Sequence, residues 1–174
     1  MLPASDRLVR AVSRDVWIRI VLVLHVLGAI TALGVNLTYL PLMALGERAG
    51  AKQRAFILRA IEAIDGRLST PAYGAQLVTG IVLIWLLRID VLDTSWLVAG
   101  IALYLFVLVF AIAVYAPALR KQVAIAGSLA DGAGGGEATP EYRAASARST
   151  RLGLAIVVVV IGIVTLMVSK PTLW

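Results

Sequence analysis

The chain has no cysteine, a single histidine and few charges: only 15% of its 174 residues are Asp, Glu, Lys or Arg. Without cysteine there can be no disulfide, thiolate metal site or cysteine nucleophile, and the redox compartment leaves no mark on the sequence. One histidine alone is also a poor basis for a structural zinc site, which takes four ligands. The sequence carries no GxSxG, HExxH or Walker loop and no paired-carboxylate constellation. No acidic residue lies deep in any long apolar block, which weighs against a proton pump or cation carrier.

Hydrophobic residues make up 60% of the chain and the mean hydropathy is +0.92, against about 45–50% apolar residues in a typical soluble domain. The excess collects in blocks, the mark of a chain solvated by lipid. The net charge of +6 is no sign of nucleic-acid binding, because the basic residues flank apolar blocks and no nucleic-acid-binding motif accompanies them.

A span needs about 20 apolar residues to cross about 30 Å of hydrocarbon. Four blocks qualify, at about residues 16–45, 70–88, 96–119 and 151–169, and they predict an all-α integral membrane four-helix bundle forming one transmembrane domain. The first block is longer than the core of a signal peptide, so it reads as an uncleaved span. Before it, Leu8, Val9, Val12 and Val16 suggest a short helix at the head-group level. Between the first two spans, residues 46–69 are amphipathic, with Ala55, Phe56, Leu58, Ile61, Ile64 and Leu68 at helical spacing. They form a connector on the membrane surface or a cytoplasmic extension of the neighbouring spans. Ser69-Thr70-Pro71 reads as a cap and first turn opening the second span. A short turn, residues 88–95, makes spans two and three antiparallel neighbours. Residues 127–140 are a flexible glycine-rich linker, and Trp174 is an interfacial anchor.

Ten of the sixteen basic residues fall in the first and third connections, and six in the tail, the second connection and the C-terminus. Positive-inside bias then favours both termini outside and the longer connections in the cytoplasm.

His25 lies within the first span. At about 100° per residue it shares a stripe with Gly28, Ala29, Ala32, Asn36 and Tyr39. A polar, small-residue face on a greasy helix should turn inward. Two readings stand side by side. In one, His25 binds a haem iron or another metal, or relays a proton, with Gly28 and Ala32 leaving room for a flat macrocycle. In the other, Gly28 and Ala32 permit close helix packing and His25 hydrogen-bonds across the contact. Asn36 is too far along the axis to touch His25. Tyr73, Gln76 and Gly80, then Tyr104, Ala111 and Tyr115, then Ala155, Gly162, Thr165 and Ser169 form polar stripes on the other spans, read mainly as packing glue.

The segment Leu24-His-Val-Leu-Gly-Ala-Ile-Thr-Ala-Leu-Gly34 resembles the opening helix of a bacterial family of predicted four-span integral membrane proteins of unknown function. The closing Leu166-Met-Val-Ser-Lys-Pro171 resembles the end of that family's last span. The first helix is also distantly similar to the membrane-bound, haem-containing protoporphyrinogen oxidases and to the copper-resistance D proteins. The oxidase resemblance implies His25 as the haem ligand, with metal bound only through the haem iron. Ala32 stands where that family has tryptophan, and Leu42 follows Pro41 where it has arginine. With no second histidine, a haem b here would be five-coordinate, take another sixth ligand, or be shared between subunits.

The sequence thus favours a bacterial inner-membrane protein without enzymatic chemistry, a scaffold or accessory subunit. Its partners would be the lipid bilayer and either a second copy of itself or another membrane subunit. A haem b redox or sensing protein using His25 and a small-solute or metal-ion transporter are the alternatives.

Overall fold

Every regular element among the described residues is helical, because the apolar blocks are too long and too poor in turn residues to fold otherwise. The computed structural model describes the backbone of residues 4–132 and 137–173 and the side chains of residues 12–132 and 137–173. The glycine run 133–136, Trp174 and the side chains of Leu8 and Val9 lie outside these. In order come α1 (Ala4–Arg48), α2 (Ala51–Ile64), a π turn (Asp65–Ser69), α3 (Thr70–Leu87), α4 (Ser95–Phe110), a second π turn (Ala111–Tyr115), α5 (Ala116–Asp131) and α6 (Pro140–Ser169).

Four continuous helices are long and apolar enough to cross a membrane: Val12–Arg48, Ala51–Leu87, Ser95–Asp131 and Pro140–Ser169. Three of them have 37 residues, about 55 Å at about 1.5 Å per residue. Hydrocarbon accounts for about 30 Å of that, so the bundle projects well beyond the bilayer at one end. The amphipathic stretch after the first span is therefore an upright extension of the second long helix, not a surface connector. The tail is likewise no separate surface helix. Its backbone runs straight into α1, with no proline or glycine between residues 4 and 27 to break it.

Proline explains where the long helices change their winding. Pro71 and Pro117 each lie two residues beyond a π turn. A proline inside a helix removes one N–H and drives its ring against the carbonyl four residues back. Widening the preceding turn relieves that clash; at the first site the Thr70 N–H reaches the Asp65 carbonyl, five residues back. The same device overturns the reading of Ser69 as a helix cap. Ser69 is in αR conformation with no capping hydrogen bond, because the helix arrives already formed from α2.

α3 packs antiparallel along α1, α6 along both α1 and α4, and beyond the bilayer α2 packs on α5. The packed core sits toward the projecting end: Met43, Ala55, Leu58, Ile61, Leu119, Ala126 and Tyr142 are all buried there. In lipid, by contrast, much of the apolar surface faces outward, with Ile30, Val78, Trp85, Val109 and Val158 all exposed. The far end closes by clasps. Arg14 Nε donates to the Leu86 carbonyl at 2.9 Å, satisfying a free carbonyl at the end of α3. Ser95 Oγ accepts from the Leu173 N–H at 2.9 Å, and Lys170 lies over the Trp96 ring, 5.6 Å from its centre.

Candidate functional site

The stripe on α1 turns inward onto α3. Ala32 and Tyr39 are buried, and His25, Gly28, Ala29 and Asn36 are half-buried. Small residues let the two backbones approach, and polar side chains then meet across the seam. His25 Nδ1 lies 2.8 Å from Thr79 Oγ1, and His25 Nε2 lies 3.5 Å from Gln76 Nε2. The Thr79 hydroxyl also donates back to the Ala75 carbonyl at 2.7 Å, which leaves its lone pairs to accept from the imidazole. The matching tautomer carries its proton on Nδ1 and accepts at Nε2 from the Gln76 amide. About three turns further along α1, Asn36 Nδ2 donates to the Tyr73 hydroxyl at 2.6 Å and to the Ala32 carbonyl at 2.8 Å. The Tyr104 hydroxyl ties α4 to the Tyr73 carbonyl.

The space beside His25 is taken up by neighbours. A methyl group at Gly28 would come within 2.7 Å of Gln76 Oε1, and one at Gly80 within 3.4 Å of the imidazole ring. As these side chains stand, the residues around His25 do not fit a haem: Gln76 fills the Gly28 face, and both ring nitrogens point at α3. A small cavity lies elsewhere, between Asn36, Tyr39, Tyr115, Ser149 and Thr150. Its volume of about 10 Å³ holds about one water molecule. Among the described residues no group of three or more His, Cys, Asp or Glu is placed to hold a metal.

The stripe expected on span four points the other way. Ala155, Thr165 and Ser169 are exposed, while Ile156, Val157 and Val160 face the core. The Thr165 and Ser169 hydroxyls donate to the carbonyls four residues back, at 2.9 and 2.7 Å. They therefore have no unmet polarity to hide from lipid.

Two polar groupings escaped the sequence reading. At the edge of the spans nearest the projecting end, Tyr39 donates to Asp65 Oδ1 at 3.4 Å, and the fully buried Ser69 brings its hydroxyl to the same carboxylate. Burial is the main reason the Asp65 carboxyl stands above its ordinary value. In the projecting end, Glu47 Oε1 accepts from Tyr142 at 2.6 Å and Ser146 at 2.8 Å, while Gln122 Nε2 donates to the Tyr142 hydroxyl at 3.4 Å. Arg54 stacks over the Tyr142 ring, 5.0 Å from its centre. Burial first, then the bond to Glu47, pushes the Tyr142 phenol up to about 12. Helical periodicity marks Leu58 and Ile61 as core; it gives no sign that Glu47 and Tyr142, far apart in sequence, would meet.

Four apolar helices, a polar seam between the first two spans and a packed end outside the bilayer define an integral membrane protein of the four-helix-bundle class. A family model described as predicted integral membrane protein (DUF2269) matches residues 19–171, and the chain belongs to that family, whose function is unknown. No curated protein and no solved structure matches it.

Proposed function

We propose that this protein is a scaffold or accessory subunit of the bacterial inner membrane, acting through a second copy or another membrane protein and carrying no chemistry of its own. The observation that supports this reading is the pairing of polar side chains along the α1/α3 seam, where Gln76 Oε1 is left without a hydrogen-bond partner. The intramembrane polar side chains that would otherwise serve a ligand are spent on one another: His25 on Thr79 and Gln76, Asn36 on Tyr73. On this reading Gly28 and Ala32 serve close packing and His25 serves as the hydrogen-bonding residue of the contact. The projecting end carries most of the basic side chains, among them Lys52, Arg59, Arg120, Lys121, Arg143 and Arg148. Positive-inside bias puts that end in the cytoplasm and both termini outside.

The test is an absorption spectrum of detergent-purified protein made with ample haem, recorded beside His25→Ala. The scaffold reading expects no Soret band in either. A band in the parent that disappears in the variant would replace this reading with a haem b protein. Flux through loaded vesicles would replace it with a transporter.

A further inference from the structure

Lipid accounts for most of the exposed apolar side chains of this bundle, but not for Phe56. Its side chain is 72% exposed, and it stands on α2, in the end that projects beyond the bilayer. The stretch of continuous helix from Phe56 to Thr70, where the second span begins, measures about 21 Å at about 1.5 Å per residue. A head-group layer is only about 5–8 Å deep, so Phe56 stands in water. One exposed apolar residue is ordinary; a patch of them at one place marks an interaction surface.

Phe56 has such company. Gly46 of α1 packs against Ile57 of α2, where a methyl group at Gly46 would come within 3.6 Å of Ile57 Cγ2. Leu45 and Phe56 each precede a residue of that contact by one position, about 100° around their helices. Because the two helices run antiparallel, both side chains lean to the same side of the pair, and Leu45 is 58% exposed. Ala60 and Ala63 follow Phe56 at helical spacing and are small enough to leave a shallow groove beside its ring. The same face carries Lys52 and Arg59, four residues before and three after Phe56, both exposed. Neither takes part in an ion pair among the described residues. The acid of α2, Glu62, lies about 120° around the helix from Phe56 and is half-buried.

An aromatic anchor with small residues beside it and cations at its rim suits an amphipathic helix laid along the groove. Charge selects which helix. A second copy meeting this face with its own would set Lys52 and Arg59 against their like, whereas an acidic segment would pair with them. We propose that the outward face of α2, centred on Phe56 and reaching Leu45, docks an acidic amphipathic segment of another protein. Apolar residues of that segment cover the Phe56 ring, and its carboxylates pair with Lys52 and Arg59. The surface has this meaning only on the scaffold reading, and it selects another protein over a second copy.

The test is photocrosslinking in cells of the protein's own species, with p-benzoylphenylalanine replacing Phe56 in the full chain. One dominant protein adduct is expected. Sequenced by mass spectrometry, its crosslinked peptide should belong to another polypeptide and carry net negative charge. Lys52→Glu combined with Arg59→Glu in the same chain should cut the adduct yield by about tenfold or more. No protein adduct, an adduct to a second copy, an adduct to a neutral or basic segment, or an undiminished yield in the charge-reversed chain overturns the proposal. Folding is checked by thermal unfolding in detergent micelles, where Phe56→Ser and the charge-reversed chain should fall within about 2 °C of the parent, as surface substitutions do. A larger fall for Phe56→Ser would make Phe56 a packing residue and overturn the docking face. Should the charge-reversed chain fall further, Lys52→Gln with Arg59→Gln takes its place, with loss of the adduct again expected and its persistence again refuting. A Soret band lost in His25→Ala would sink the scaffold reading whatever the crosslink shows; a missing adduct removes this surface and leaves the spectrum as it was.

Discussion

The His25–Thr79 contact offers the sharpest measure of whether the α1/α3 seam is structural. His25→Leu removes a good hydrogen bond of 2.8 Å and a marginal contact of 3.5 Å to Gln76. Interhelical hydrogen bonds in membranes contribute about 0.6 kcal/mol on average and at most about 1.7. The larger penalty of about 1–3 kcal/mol for orphaning a buried partner does not fall on Thr79, which keeps its bond to the Ala75 carbonyl at 2.7 Å. Leucine also packs acceptably against Gly80, where the imidazole now sits. His25→Leu should therefore cost only about 0.5–1.5 kcal/mol, and Thr79→Val no more.

The decisive quantity is their coupling. In SDS-titrated unfolding from mixed micelles, the double variant should lose less stability than the two singles added together, by about 0.6–1.7 kcal/mol. Strict additivity would mean that the hydrogen bond contributes nothing. A His25→Leu cost well above about 3 kcal/mol would mean that the imidazole holds more than these two neighbours. Either result would refute the reasoning.

Ala32 is 2% exposed within the seam, so Ala32→Leu should cost about 1–3 kcal/mol by overpacking, read by the same unfolding titration. Tyr142→Phe strips the Gln122 amide of its donor contact when its Oε1 is already unpartnered. A loss of about 1.5–3 kcal/mol is expected, while Glu47 keeps Ser146. The Tyr142 phenol, ordinarily at 10.0, is pushed up to about 12. Its contribution is full below the ordinary value and disappears as pH rises through the higher one, so the alkaline fall in Tm should be shallower in Tyr142→Phe. Orientation can be read from single cysteines, which the cysteine-free chain makes clean. Asp93→Cys should react with an impermeant maleimide in intact cells and Ala124→Cys only after permeabilisation; the reverse pattern would invert the topology.

The all-helical membrane bundle was legible because lipid imposes one rule that a sequence shows openly: long apolar runs with their backbone closed by helical bonding. The α1 stripe was legible for the same reason, and His25, Ala32, Asn36 and Tyr39 do face the neighbouring helix. Its partners Thr79 and Gln76 were not, since periodicity fixes a face but not the rotation of the opposing helix. The failure on α6 has a local cause. Thr165 and Ser169 look polar in one-letter code, but each hydroxyl is satisfied within its own helix, so the stripe carries no demand for burial. Ser69-Thr70-Pro71 misled because a proline at a helix start and a proline relieved by a π turn have the same local sequence. Only the helical character of residues 51–64 upstream separates them. Asp65 was hidden by the same error, since it was counted in a connector when it lies in the middle of a continuous helix.

The two ends of this bundle are stabilised by different means, and this decides where its variants will be felt. Within the bilayer lipid already solvates the apolar faces, so burying them against another helix gains little, and association rests on close contact and a few hydrogen bonds. Beyond the bilayer the same helices meet water, and burying Leu58, Ile61, Leu119 and Tyr142 gains the full hydrophobic term, about 25 cal/mol per Å². A large-to-small change there, such as Leu58→Ala at 2% exposure, should cost about 2–5 kcal/mol, several times the expected cost of His25→Leu. If unfolding titrations ranked the two the other way, the register of the four spans would be set inside the membrane. The projecting end would then be an appendage, not the element that holds the bundle together.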